Sequence, residues 1–201
     1  MTKIKICGLR RMEDVEVVNR CLPDYVGFVF AESKRQILPE TAAALKDCLH
    51  PSIRSVGVFV NQNPAWIAGL CRQGILDCVQ LHGEEDEAYI RDLKQRISQP
   101  VIRSVAVHSE IVKLTEGADY LLFDKAGVTR GGGGTAFDWH LLKGFNHLPY
   151  FLAGGLEAAN VADAIRLLHP YCVDVSSGVE TDGWKDGQKI EKFVQSVRET
   201  K

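Results

Sequence analysis

The 201-residue chain has a formal net charge of -2, with 45% hydrophobic and 25% charged residues. This is an ordinary globular composition, long enough for a sizeable core, and we expect one domain spanning residues 1–201. The near-neutral charge argues against a nucleic-acid partner, and no apolar run approaches the ~18 residues of a membrane span. The chain goes directly into a strand without the apolar region of a signal peptide, so we expect a cytoplasmic protein.

The six cysteines are typical of the same setting. None of them forms a CxxC pair, and they are scattered over segments that resemble strands and helices. We therefore expect no disulfide or zinc framework, and a reducing cytoplasm is the simplest environment. All but Cys7 are interpreted as small hydrophobic residues of the core. These five are Cys21, Cys48, Cys71, Cys78 and Cys172.

Short apolar segments alternate with segments of helical periodicity along the whole chain. Most of the apolar segments are β-branched and nearly continuous, as strands buried on both faces are. The predicted strands are KIKIC (3–7), YVGFVF (25–30), SVGVFV (55–60), CVQLHG (78–83), VIRSVAV (101–107), ADYLLFD (118–124), YFLAGG (150–155) and CVDVSSG (172–178).

Helical segments are predicted between these strands. One is entered through Pro39, and another begins with Asn63 as its cap and Pro64 at its first position. The other apolar faces comprise Val15, Val18 and Leu22; Ala42, Leu45 and Leu49; Tyr89 and Leu93; Ile111 and Leu114; Val161, Ile165 and Leu168; and Ile190, Phe193, Val194 and Val197.

Eight strand-then-helix units, of roughly 25 residues each, fit a compact single-domain (β/α)8 TIM barrel of the α/β class. An open doubly wound sheet fits less well, because no GxGxxG motif follows the first strand.

The loops after the seventh and eighth strands carry glycine and serine. Barrels often bind phosphate at this place, through backbone N–H groups to which glycine allows close approach. Two tight turns would also account for AGG and SSG, but their joint occurrence in these two loops favours phosphate. The candidate phosphate-binding residues are Gly154, Gly155, Ser177 and Gly178.

Polar residues stand at the ends of other predicted strands. Cys7 is either a core thiol or a reactive thiolate. Asp124 either caps a turn or, beneath the long loop over 125–137, has a raised pKa and acts as a general acid. Arg35 is either solvated or holds a substrate carboxylate. His82 is a structural or catalytic histidine, and Asp174, within a strand, needs a donor partner or faces a ligand.

The motifs KICG, VGFVF…SKR, VQLHG, LLFD, GGGGTAFDW, LAGGL and DVSSGVE, in this order, resemble the phosphoribosylanthranilate isomerase family of tryptophan biosynthesis. The resemblance covers essentially the whole chain. It implies a (β/α)8 barrel that converts N-(5-phosphoribosyl)anthranilate into 1-(o-carboxyphenylamino)-1-deoxyribulose 5-phosphate by an Amadori rearrangement. It further implies no metal and no organic cofactor.

The resemblance also implies roles for single residues. Cys7 is the general base, and Asp124 is the general acid. Arg35 binds the anthranilate carboxylate, and the glycine loops hold the phosphate. We place His82 and Asp174 among the substrate-binding residues, and we expect Cys7 to be the exposed, low-pKa cysteine. The partner is then a phosphorylated aminosugar, and the protein is a monomer or homodimer.

The glycine-rich loop departs from the family pattern, with Gly133 where threonine is usual and Thr135–Ala136 where a lysine often occurs. We expect a more flexible loop without a lysine contact. Two alternatives remain. The related histidine-pathway aminoaldose isomerase would have an aspartate at Cys7 and a phosphate site in each half. A catalytically inactive barrel that only binds would not need both an acid and a base.

Overall fold

Eight parallel strands form a closed barrel in the computed structural model, which describes residues 1–107, 116–125 and 137–200. Each strand pairs with the next one in the chain, and β8 pairs with β1. The predicted barrel is confirmed. The strands are β1 (Lys3–Cys7), β2 (Tyr25–Val29), β3 (Arg54–Phe59), β4 (Cys78–Leu81), β5 (Val101–Val107), β6 (Tyr120–Lys125), β7 (Tyr150–Leu152) and β8 (Cys172–Val175).

Six α-helices pack against the barrel in the described part of the chain. The predicted starts at Pro39 and Pro64 are confirmed, and the Asn63 side chain caps its helix by accepting a hydrogen bond from the Ala65 N–H at 2.8 Å. The helices are α1 (Met12–Cys21), α2 (Pro39–Asp47), α3 (Pro64–Arg72), α4 (Glu87–Arg96), α5 (Val161–Leu168) and α6 (Gly187–Glu199).

Two of the predicted helical segments differ from the structure, namely the segment after β6 and the segment with Val15, Val18 and Leu22. After β6, the described residues contain only a short 3-10 helix, Trp139–Leu142, which ends where Lys143 adopts an extended conformation with a ψ of 122°. The segment with Ile111 and Leu114 lies outside the described residues, as does most of the glycine-rich loop. Helix α1 stops at Cys21, so Leu22 adopts a left-handed conformation and is exposed rather than buried.

The cysteine prediction is confirmed for four residues and wrong for Cys48. Cys48 follows the last residue of α2 and is exposed, because it lies on the outer face of this turn while Leu45 and Leu49 occupy the face toward the core. All six thiols are free. The four core cysteines are Cys21, Cys71, Cys78 and Cys172.

Alternation along the strands separates the barrel interior from the layer under the helices. On β1, Ile4 and Ile6 belong to the large core beneath the helices, so Lys5 and Cys7 point into the barrel. The amino-terminal part of the interior is apolar and aromatic, which leaves the carboxyl end of the barrel for polar groups. This inner cluster comprises Tyr25, Val56, Cys78, Ile102, Leu122, Phe151, Ala153 and Cys172.

A small hairpin follows β8 and lies beside the end of β1. A 3-10 helix, Ser177–Val179, leads into β9 (Glu180–Thr181) and β10 (Trp184–Lys185). Asp182 and Gly183 both have positive φ at its turn, as a two-residue type I′ hairpin requires. The guanidinium groups of Arg10 and Arg11 lie 4.0 and 4.4 Å from the Trp184 ring centroid, so cation–π contacts attach the hairpin to the loop after β1.

Candidate active site

The carboxyl ends of the strands bring the predicted base and its charged neighbours together. Lys5 on β1 is fully buried and donates to both carboxylate oxygens of Asp174 on β8, at 3.0 and 3.1 Å. Asp174 therefore has the donor partner that its burial required. Lys5 was not among the predicted site residues. The available signal was its position two residues before Cys7, which puts both side chains on the inner face of the first strand.

Cys7 differs from the expected exposed, low-pKa cysteine. Its accessible fraction is only 8%, and burial raises the pKa of its thiol above the ordinary value of 9.0. The positive charges of Lys5 and Lys185 oppose this rise, whereas the negative charge of Asp174 adds to it. The expectation failed because the end of β1 lies under the neighbouring loops, so the thiol has lost most of its hydration.

Glycines make room for the groups around Cys7. A Cβ atom on Gly27 would lie 2.6 Å from the Cys7 sulfur. A Cβ atom on Gly8, whose φ is +87°, would lie 2.6 Å from Cδ of Arg35. Both positions are thus closed to larger residues, and Gly8 sets how closely Arg35 approaches the end of β1.

Arg35 is buried and already paired. Its Nε and Nη2 atoms donate to the two carboxylate oxygens of Glu180 at 2.6 and 2.8 Å. Lys185 donates to Glu180 Oε1 at 2.8 Å. Burial favours the neutral form of Glu180, but these two cations lower its pKa to about 2. Glu180 and Lys185 were also missed by the sequence analysis, although both lie in the segment directly after SSG.

The Asp124 carboxyl group has a raised pKa. Burial raises the pKa of its carboxyl group from 3.8 to about 6, even though the Lys125 N–H donates to Oδ1 at 2.7 Å and favours the charged form. Its side chain remains 32% accessible. The expected raised pKa is therefore confirmed, and water or a ligand can reach the carboxyl group.

His82 lies beside Asp124, with Nε2 at 3.7 Å from Oδ2. Its Nδ1 atom is 3.2 Å from the Gln80 amide nitrogen. The buried Glu85 carboxylate orders the loop after His82, because it accepts hydrogen bonds from the Asn61 and Gly83 N–H groups at 2.7 and 2.8 Å. The imidazole is thus held at the barrel mouth next to the candidate acid.

The glycine loops meet each other and the acid. Gly154 and Gly155 have φ values of +82° and +77°, and a Cβ atom on Gly154 would lie 2.7 Å from the Lys125 nitrogen and 3.2 Å from Asp124 Oδ1. A Cβ atom on Gly178 would collide with the Leu156 carbonyl oxygen. Ser177 begins the 3-10 helix of the eighth loop. The close packing of the two loops thus requires glycine independently of any phosphate binding.

Among the described residues, no group of three or more His, Cys, Asp or Glu side chains is arranged to hold a metal ion. In the same part of the chain, no helix is both long and apolar enough to cross a membrane. The proposed loop over 125–137 lies almost entirely outside the described residues, so its expected flexibility stays a prediction.

Residues 4–196 match the family model of N-(5'-phosphoribosyl)anthranilate isomerase. The chain belongs to this family. It is 52% identical over 199 residues to the isomerase of that name from Endomicrobium trichonymphae, with 98% of this chain and 99% of the relative covered. The expected isomerase of tryptophan biosynthesis is confirmed by this membership.

Solved structures of the isomerase family agree with the barrel. The Thermotoga maritima enzyme superimposes with a TM-score of 0.87 at 35% identity, over 98% of this chain and 99% of that one. A second family structure, with a TM-score of 0.82 and 34% identity over the same shares, contains reduced 1-(o-carboxyphenylamino)-1-deoxyribulose 5-phosphate. That relative thus binds a phosphorylated analogue of the product.

Proposed function

We propose that this isomerase rearranges N-(5'-phosphoribosyl)anthranilate with Asp124 as general acid and Cys7 as general base. The observation that carries the proposal is the Asp124 carboxyl group, accessible at the barrel mouth with a pKa of about 6. A carboxyl group with this pKa keeps a useful protonated fraction near neutral pH. Cys7 lies three strands away around the closed barrel, on β1 rather than β6.

Each proton transfer has a group suited to it. Asp124 protonates the furanose ring oxygen, and the sugar opens to a Schiff base. The Cys7 thiolate then removes the proton on C2, and the resulting enolamine tautomerises to the ketose. All bonds change within one substrate, so the reaction needs no oxidant, reductant or co-substrate.

Because the pKa values of both groups are raised, only a small fraction of the enzyme has Asp124 protonated and Cys7 ionised at the same time. The acid must be protonated with a pKa of about 6, while the base must be ionised with a pKa above 9.0. Between these values the product of the two fractions is constant and amounts to at most about 10⁻³ of the enzyme. The pH profile of kcat is then a plateau that falls below pH ~6 and again above the Cys7 pKa.

The remaining site residues bind the substrate. The phosphate lies on the loops of Gly154, Gly155, Ser177 and Gly178, where left-handed glycines and the first N–H groups of the 3-10 helix suit an anion. Arg35 receives the anthranilate carboxylate through Nη1, the guanidinium nitrogen that is not part of the Glu180 pair. His82 contacts the substrate near Asp124. Asp174, which was expected to bind the substrate, accepts both hydrogen bonds from Lys5 and therefore contributes by holding that lysine.

The partner is accordingly a small phosphorylated aminosugar. The state of association is a monomer or a homodimer, and the Thermotoga maritima relative is described as dimeric. The free thiols fit a reducing cytoplasm.

The test follows the loss of fluorescence of freshly prepared phosphoribosylanthranilate with the purified protein and with Cys7→Ala and Cys7→Ser. We expect turnover by the parent and a fall in kcat of ~10²–10⁴-fold in both variants, since neither side chain replaces a thiolate base. KM should change little. Near-parental kcat in folded Cys7→Ala would remove the thiol from the mechanism.

Arg35→Met provides the matching test of substrate orientation. Loss of a charge-assisted contact should raise KM and abolish the preference for product analogues that carry the carboxylate. A variant that kept this preference would show that another group binds the anthranilate half.

A further inference from the structure

Lys185 is a buried cation to which the proposed mechanism gives no task. Its side chain is only 2% accessible. Its ammonium group donates to the Ser176 carbonyl oxygen at 3.0 Å, to Ser176 Oγ at 3.3 Å and to Glu180 Oε1 at 2.8 Å. Three directed bonds match the three donors of an ammonium group, so the charge is held in one place.

Ser176 connects this ammonium group to the strand end that carries the thiol. Its hydroxyl donates to the Cys7 carbonyl oxygen at 3.0 Å while it also accepts from Lys185. The hairpin therefore brings Lys185 to the carboxyl end of β1, beside the residue that directly follows β8. The charges of Lys185 and Cys7 act on each other, because each favours the ionised form of the other.

The buried charges around Cys7 do not balance when the thiol is neutral. There are three cations and two anions in two connected groups, and uncompensated buried charge is costly. Ionisation of Cys7 adds the third anion. The neighbours from β2 and β3 are uncharged, namely Gly27, Val29 and Val58. The charged groups are Lys5 with Asp174, and Arg35 and Lys185 with Glu180.

We propose that Lys185 is a positioning residue for the base: its buried ammonium group supplies the positive charge that a thiolate on Cys7 neutralises. Lys185 does not touch the reacting carbon and acts only through Cys7. The inference rests on the proposed function of Cys7 as the base.

The charge balance makes a specific prediction about the pH profile. Removal of the Lys185 charge raises the Cys7 pKa. The fraction of thiolate on the kcat plateau then falls, and the alkaline decline of kcat moves to higher pH by the same number of pH units. A shift of about one pKa unit corresponds to about a tenfold loss of plateau kcat. A variant with merely distorted packing would lose kcat with the alkaline limb in its original place.

The experiment compares Lys185→Gln with Lys189→Gln. Glutamine at 185 keeps an N–H donor for Ser176 without the charge. Lys189 is an exposed lysine of α6 that donates to the Glu180 backbone oxygen at 2.7 Å, so its replacement controls for the loss of an ammonium group that is bonded to the same hairpin. The Cys7 pKa is read from the ultraviolet absorbance of the thiolate, as the difference between each protein and its Cys7→Ser derivative.

We expect the Cys7 pKa to rise by about one unit in Lys185→Gln, with the alkaline limb of kcat following it, and to stay at the parental value in Lys189→Gln. Glu180→Gln should lower the Cys7 pKa, which is the opposite change, because it leaves the Lys185 ammonium group without its anionic partner. This second variant keeps the test decisive if Lys185→Gln does not fold.

An unchanged Cys7 titration in Glu180→Gln, or in a folded Lys185→Gln protein, would overturn the role of Lys185. The absorbance titration does not depend on turnover, so it separates this result from a failure of the base assignment. If Cys7→Ser kept full activity while the titration shifted as expected, the charge effect would stand and the proposed base would not.

Discussion

Cys7 and Asp124 stand on different sides of the same barrel mouth, and their surroundings differ in kind. Near Cys7 lie two buried ion pairs, one between Lys5 and Asp174 and one between Lys185 and Glu180. Asp124 is about one-third accessible and has His82 at 3.7 Å. Burial raises the pKa of both groups.

Loss of hydration thus has opposite consequences for the proposed roles of the two groups. For the proposed acid, Asp124, desolvation alone is useful, because it keeps a proton on the carboxyl group near neutral pH. For the proposed base, Cys7, desolvation is harmful, because it disfavours the thiolate. Cations are therefore needed on the Cys7 side and are not needed on the Asp124 side. Variants that alter one side and spare the other can break or sharpen this comparison.

The largest expected effect follows Asp124→Asn, which keeps the shape of the acid and removes its proton. We expect kcat to fall by ~10²–10⁴-fold, and the break near pH 6 to disappear. With only the thiolate left to titrate, residual kcat should rise about tenfold per pH unit up to the Cys7 pKa. Stopped-time assays across pH measure this. A persistent break near pH 6 would assign that ionisation to another group.

Lys5→Met should have the largest effect on stability, because it leaves the Asp174 carboxylate buried beside no cation. We expect a loss of ~3–5 kcal/mol in the free energy of unfolding, measured by urea denaturation at neutral pH.

Lys3→Met is the matched control for Lys5→Met, on the same strand but partly exposed, and should cost at most ~1 kcal/mol. The double variant Lys5→Met/Asp174→Leu should recover much of the loss, since no charge is then buried. Equal losses in Lys3→Met and Lys5→Met would contradict the view that the Cys7 side is held by buried charge.

Gly155→Asp tests the phosphate loops without touching either reactive group. The added carboxylate should repel the phosphate and raise KM by at least ~10-fold, with kcat less affected. Gly155→Asn is the control, because both residues tolerate the left-handed φ of +77° and only one is charged. Equal KM values for the two folded variants would place the phosphate elsewhere.

The smallest expected effect is a gain in stability by Asp124→Asn above pH 6. The folded protein holds the Asp124 proton more tightly than the unfolded chain, with pKa values of about 6 and 3.8. Its free energy of unfolding therefore falls as pH rises through this window, and the cost persists above it. Allowing for the accessible side chain, the asparagine variant should be ~1–2 kcal/mol more stable at pH 8 and equal below pH 4. Equal stability at both pH values would show that the carboxylate is well solvated.

Periodicity was sufficient to predict the eight strands and the places of Cys7 and Asp124. A strand end is a property of the local sequence, and in a parallel barrel all such ends meet at one face. Local periodicity could not show that the chain forms a hairpin turn at Asp182–Gly183. This turn brings Glu180 and Lys185 to Arg35.

The burial of individual side chains also could not be predicted from local sequence patterns. Lysine alternates with apolar residues in KIKIC, and this pattern does not reveal that Lys5 points into the barrel and is fully buried. Likewise, the expected low pKa of Cys7 assumed solvent around the thiol. The pKa of Asp124 was predicted correctly because, for a carboxyl group, burial and function act in the same direction.

The exposed Cys48 has a practical consequence for handling the protein. In air, its surface thiol can join two molecules through a disulfide, whereas the buried thiols are shielded. Such a covalent pair would imitate a homodimer on a sizing column and disappear on reduction. Cys48→Ser removes this artefact, so the state of association can be measured without a reductant.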